Sequence, residues 1–203
     1  MAKHLSEIEE IRKEIIKDFG YFPEFFSPAV KYPRLLESLW KDTKVRYIDN
    51  SLPEFWKELL FVYLSKECGN NYCVVVHSVL LMRKFEMTPE AICAVFIGLE
   101  KLGVADELKE LLKLSLEFYK HPEEVDVLVP KLKQLLGVHY DDWVSFMTFV
   151  VAAHRWVEGY AGEISYRNDE FAMKYLHELL DNAEELKRIL RLEQDESNIL
   201  GSI

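Results

Sequence analysis

Apolar residues recur along most of the chain at intervals of three and four, the spacing that lines one face of an α-helix. Leu5, Ile8, Ile11, Ile15 and Phe19 follow it with charges between them, and Gly20 stands where a C′ glycine would end the helix. The Pro-punctuated aromatic stretch from Tyr21 to Pro28 can be neither a central strand nor a long helix, so an ordered segment packed on the core is expected there. The spacing predicts a helix over about Pro33–Arg46, with Leu35, Leu36, Leu39 and Trp40 on one face. Another opens at Ser51-Leu52-Pro53-Glu54 with a cap and a rigid first turn and runs to Cys68, where Gly69 breaks it.

Asn70 or Asn71 can cap the next helix, which holds Tyr72, Cys73 and His77, and Thr88-Pro89-Glu90 starts one expected to end at Leu102-Gly103. His121-Pro122-Glu123-Glu124 begins a helix stopping at Leu136-Gly137, and Asp141-Asp142 begins one rich in aromatics. A C-terminal amphipathic helix is expected over about residues 168–192, through Phe171, Tyr175, Leu179 and Leu186. No Asn-Gly or Asp-Gly hairpin signal occurs, and the β-branched run Val74-Val75-Val76 lies inside a helical pattern. The expected fold is all-α, one domain spanning the 203 residues in seven to nine helices, with no linker richer in Gly, Pro or Ser than an ordinary connection.

Composition agrees with this and narrows the partners. Eight Gly and seven Pro are too little punctuation for many short strands. A net charge of −10 repels phosphate backbones and anionic lipid heads, which points away from nucleic acid and membrane surfaces. The richest apolar stretch, Trp143 to Ala153, is half a bilayer span, and the amino terminus has no hydrophobic secretory core, so a cytoplasmic protein is expected. Three cysteines, Cys68, Cys73 and Cys93, do not make a secreted disulfide framework; in a cytosolic chain a close pair points to redox or metal chemistry.

Missing motifs narrow the chemistry further. The chain has no G-x-x-x-x-G-K, G-x-G-x-x-G, H-E-x-x-H or G-x-S-x-G, and none of its six histidines has Glu three residues before it, as ferritin-like di-iron bundles require. What is left is the segment from Glu58 to His77. Cys73 and His77 are four apart, so on a helix they share a face, near enough for an imidazole to take the thiol proton. In the first turn after an Asn cap, Cys73 would also meet free backbone N–H groups and the positive end of the helix dipole, which favours thiolate. Glu58 lies on the preceding helix, and a break at Gly69 could fold its carboxylate back to orient His77 or relay a proton. The plain reading of the same residues is a small buried cysteine, a satisfied core histidine and a solvated carboxylate. Cys68, Cys73, His77 and Glu58 also number four possible zinc ligands, but C-x4-C-x3-H lacks the usual knuckle spacing, and no metal or other cofactor is expected.

Lys57-Glu58-Leu59-Leu60, Ser65 and Tyr72-Cys73-Val74-Val75-Val76-His77-Ser78 resemble the AhpD-like, carboxymuconolactone decarboxylase superfamily, whose thiol members look like K-E-L…S…N-x-C-x-Y-C-x-x-x-H. Gly20-Tyr21-Phe22-Pro23, Tyr32-Pro33 through Trp40, and Met87-Thr88-Pro89-Glu90-Ala91-Ile92 are similar to the flanking segments, so the resemblance covers about residues 15–165. It implies an all-helical homo-oligomer in which a CxxC pair with a Glu and His proton relay reduces hydroperoxides or exchanges with a partner disulfide. By that match Glu58 is the relay carboxylate, Cys73 the second cysteine and His77 the relay histidine. The family's first cysteine falls on Asn70, while Cys68 sits where Asn is more usual.

Three outcomes follow from this departure: Cys68 takes over as resolving thiol, Cys73 acts alone with an external thiol, or thiol activity is lost. In the first two the protein is an alkylhydroperoxidase-like oxidoreductase whose partners are a hydroperoxide and a thiol donor. In the third it is a silent scaffold for oligomerisation or partner binding, or a decarboxylase-like enzyme using His77 without thiols. In an uninterrupted helix, Cα atoms five residues apart are roughly 8.6 Å apart, beyond the roughly 7 Å limit of a disulfide, so a Cys68–Cys73 bridge requires the chain to turn at Gly69. Elsewhere, Cys93 is expected in the core and His154 in a packed structural role, while Trp143, Phe146, Phe149 and Val150 read as core or subunit contact.

Overall fold

The computed structural model describes residues 2–181 and 183–190. Ten α-helices occur among them: α1 (Ala2–Phe19), α2 (Pro33–Thr43), α3 (Glu54–Cys68), α4 (Asn71–Phe85), α5 (Pro89–Ile97), α6 (Asp106–Lys120), α7 (Val125–Leu136), α8 (Tyr140–Gly159), α9 (Glu170–Leu180) and α10 (Glu184–Ile189). The fold is all-α, and its only extended pairing among the described residues is an isolated bridge between Ala161 and Ile164.

Caps and breakers act where expected. Gly20 and Gly69 take positive φ (81° and 71°) directly after α1 and α3. The Thr88 hydroxyl accepts from the Ala91 N–H (3.2 Å) at the start of α5, with Pro89 in the first turn. Three elements depart from expectation. The helix predicted to reach Leu102 stops at Ile97, because Gly98 turns extended before a short 3₁₀ turn at Leu99–Lys101. The helix over 33–46 passes after Thr43 into a π-helical turn, Lys44–Ile48, whose wider loop re-aims Tyr47. The C-terminal helix begins at an Asp169 cap, but Asp181 leaves helical geometry and α10 restarts at Glu184; the predicted residues 191–192 lie outside the described residues.

The α3–α4 hairpin forms the middle of the core, its antiparallel register marked by contacts of Glu58 with His77 and Phe55 with Phe85. Residues 72–82 of α4 are all buried, and a helix covered on every side has little amphipathic contrast to show in sequence. Within it Val74, Val75 and Val76 are helical despite their β-branching, since burial outweighs a propensity difference of less than about 1 kcal/mol per residue. The aromatic stripe of α8, Trp143, Phe146, Phe149 and Val150, is buried within this one chain, and so is Cys93.

A second, smaller core seals the amino-terminal segment. Ile15 of α1, Phe26 of a 3₁₀ stretch at Glu24–Lys31, and Leu36 and Trp40 of α2 pack together. That stretch, the ordered aromatic segment expected from sequence, is strapped down by buried polar groups. The Tyr72 hydroxyl accepts from the Phe25 N–H (3.0 Å) and donates to Asp169 Oδ2 (3.1 Å), which also takes the Glu24 N–H (3.1 Å). The Trp156 indole N–H donates to the Phe25 carbonyl (2.8 Å). Among the described residues no helix is long and apolar enough to cross a membrane.

Candidate functional site

α3 ends at Cys68, Gly69 reverses the chain in the left-handed region, and Asn70 caps α4 by accepting the Cys73 N–H at its Oδ1 (3.1 Å). This tight reversal folds α4 back along α3 and sets Glu58 against His77. Glu58 is fully buried, and its Oε2 lies 2.6 Å from His77 Nδ1, while its Oε1 accepts from the Tyr47 hydroxyl. A carboxylate can only accept, so the imidazole proton on that side sits on Nδ1, leaving Nε2 as the nitrogen to exchange protons. The Phe61 ring stacks on His77 at 3.9 Å between centroids and 3° between planes, and Tyr47 meets it edge-on at 6.0 Å, which fixes the imidazole plane.

Tyr47 was not legible in the sequence. Its place over Glu58 comes from the π-helical turn, and that turn is held by buried Lys57, whose ammonium donates to the carbonyls of Tyr47 (2.5 Å) and Asn50 (3.1 Å). Burial first, and the Glu58 carboxylate second, push the Tyr47 phenol well above its usual range, so it stays a donor. Lys57 is itself pushed down by burial.

Cys73 and His77 both line a cavity of about 50 Å3, walled by Tyr21, Phe25, Phe61 and Phe149. That is room for a small group or a water or two in an apolar setting. The thiol departs from expectation. Its own N–H is occupied by Asn70, and complete burial pushes the Cys73 thiol up, the neighbouring Ser65 hydroxyl opposing this only in part. The resting side chain is therefore a thiol that needs a base. Asn70, at the position matched to the family's first cysteine, is buried as a helix cap.

Cys68 is half-buried at the end of α3, and all three cysteines are free thiols. The turn at Gly69 removes the bar that a continuous helix would set to a Cys68–Cys73 bridge. His154, expected as packing, is fully buried with Nε2 2.8 Å from the Ser65 hydroxyl. Among the described residues no group of three or more His, Cys, Asp or Glu is placed to hold a metal ion.

No protein-family model matches the sequence, and no curated protein matches it. Among solved structures the chain is similar to the crystal structure of an alkylhydroperoxidase AhpD core, an uncharacterized peroxidase-related protein from Ralstonia eutropha JMP134. The TM-score is 0.64 at 20% identity, over 76% of this chain and 83% of that one.

Proposed function

From the AhpD core fold as premise, we propose that this protein is a thiol oxidoreductase in which Cys73 reduces a hydroperoxide with Glu58 and His77 as proton relay. The observation that carries the reading is the buried Glu58–His77 pair, whose imidazole lines the same small cavity as Cys73. The carboxylate steadies the imidazolium that forms when His77 Nε2 receives the thiol proton. The thiolate then attacks the terminal peroxide oxygen. The O–O bond breaks, the leaving alkoxide takes the proton back from His77 and departs as alcohol, and the transferred oxygen keeps its own hydrogen, so the sulfur becomes a sulfenic acid. Condensation with the Cys68 thiol releases water and forms a disulfide, which an external dithiol reduces. Self-association belongs to the same proposal, and sedimentation equilibrium tests it.

The deciding experiment is hydroperoxide consumption with a dithiol present. Cys73→Ser should abolish turnover, and His77→Gln should lower it by about 100-fold, the scale of one general acid–base group. An unchanged rate in Cys73→Ser would sink the proposal. Burial of Cys73 as a thiol favours a second reading, in which His77 performs acid–base chemistry on a small organic acid without thiols. That activity would survive Cys73→Ala and be lost in His77→Ala.

A further inference from the structure

The relay carboxylate is held from two sides, and the imidazole is only one of them. Glu58 of α3 is completely covered; its Oε2 lies 2.6 Å from His77 Nδ1 on α4, and its Oε1 accepts from the Tyr47 hydroxyl on the π-helical turn after α2. The phenol has little freedom to leave. Its ring runs nearly parallel to Phe149 (5.8 Å between centroids, 16°) and meets Phe61 edge-on (5.6 Å, 89°). Its carbonyl takes a hydrogen bond from the buried Lys57 ammonium, which also donates to the Asn50 carbonyl (3.1 Å). A covered cation is thus committed to holding one turn of backbone, and that turn aims the Tyr47 hydroxyl at Glu58. We propose that Tyr47 is a positioning residue of the relay: by donating to Glu58 Oε1 it keeps the negative charge on the carboxylate and the Nδ1 proton on His77. This rests on the thiol reading of the site, which it deepens by giving the relay a third member.

The need for a second donor follows from burial. When His77 Nε2 takes the Cys73 proton, an imidazolium faces a carboxylate away from water, and the pair can discharge itself by passing the Nδ1 proton to Oε2. That would leave a neutral imidazole protonated at Nε2, a much weaker acid than imidazolium toward the leaving alkoxide. A hydrogen bond to the charged form of a group favours that form, and Tyr47 supplies one on the oxygen His77 does not use. Tyr47 itself exchanges nothing. Burial, and then the Glu58 carboxylate, hold its phenol well above the usual range, so it keeps its own proton throughout. The Cys73 proton enters at His77 Nε2 and leaves from Nε2 to the alkoxide, while the Nδ1 proton stays in place.

The test combines two measurements on the full, reduced chain at pH 7. One is the single-turnover rate of Cys73 oxidation by tert-butyl hydroperoxide. The other is the proton resonance of His77 Nδ1–H in histidine-labelled protein, assigned by its loss in His77→Gln. Tyr47→Phe removes the hydroxyl and keeps the ring; 3-fluorotyrosine at the same position keeps the hydroxyl and makes it a stronger donor with little change of shape. Tyr47→Phe should lower the rate at least about tenfold, the scale of one hydrogen bond to a charged group. It should also move the Nδ1–H resonance downfield, because Oε2 becomes the better acceptor, whereas 3-fluorotyrosine should move it upfield. The fluorinated protein decides alone should Tyr47→Phe fail to fold. A merely structural role for Tyr47 would not give shifts of opposite sign. An Nδ1–H resonance unmoved by 3-fluorotyrosine, shifts of the same sign in both proteins, or a Tyr47→Phe rate within twofold of wild type would overturn the role of Tyr47 and leave the thiol reading intact. No oxidation of Cys73 in the wild type would overturn the thiol reading and this inference with it.

Discussion

Replacing His77 by Leu tests whether the Glu58–His77 contact is an energetically coupled pair or two neighbours that happen to touch. In the wild type the Glu58 carboxylate is fully covered and satisfied by His77 Nδ1 at 2.6 Å and by the Tyr47 hydroxyl. His77→Leu keeps most of the volume against Phe61 but leaves the carboxylate with one neutral donor. Removing one partner of a buried pair costs about 3–5 kcal/mol, because the other charge is stranded away from water. For a chain of this size about 1 kcal/mol moves the melting temperature by about 2–4 °C, so a fall of roughly 6–20 °C is expected.

Glu58→Gln alone should cost about 1–3 kcal/mol through loss of charge-assisted hydrogen bonds. In the His77→Leu background the same change removes the stranded charge and should cost far less, or stabilise. The assay is a double-mutant cycle by urea denaturation at pH 7, with a coupling energy of at least about 1 kcal/mol expected for residues in contact. Additive effects within about 0.5 kcal/mol would show that the contact carries no special energy and would remove the physical basis for the relay.

Two further predictions concern the neighbourhood. His154 is held down from 6.5 to about 4 in the folded chain, so between those values the unfolded state binds a proton the folded state does not, and stability falls as the pH drops through that window. The loss attributable to His154 is on the order of 3 kcal/mol; unfolding free energies from urea denaturation at pH 7 and pH 4.5 should differ by roughly that much less in His154→Gln, and parallel behaviour of the two proteins would refute the assignment. At Gly69 a Cβ would meet nothing within 4 Å, so Gly69→Ala should cost only the left-handed backbone energy, about 1–2 kcal/mol, measured by thermal unfolding; a much larger loss would mean that the turn is not the left-handed one described.

Features that depend on residues within a turn or two of one another were legible along the chain. Asn70 and Thr88 are caps because a short polar side chain can reach an N–H three residues on, and Gly69 ends α3 because it takes a left-handed φ without strain. The spacing of Cys73 and His77 placed them on α4, and the break after Cys68 allowed a hairpin that brings Glu58 to His77. The remainder depends on long-range packing. Tyr47 reaches Glu58 through a π-helical turn tied down by Lys57, and the 3.6-residue rhythm of α2 gives no sign of that widening. The partners of Ser65 and Tyr72, His154 and Asp169, lie 89 and 97 residues away, distances over which neither periodicity nor propensity carries information. Above all, position in the first turn after a cap argues for a thiolate at Cys73, whereas the folded chain occupies its N–H and buries it completely. Desolvation of a charge depends on everything packed around it, and that sum exists only once the chain has folded.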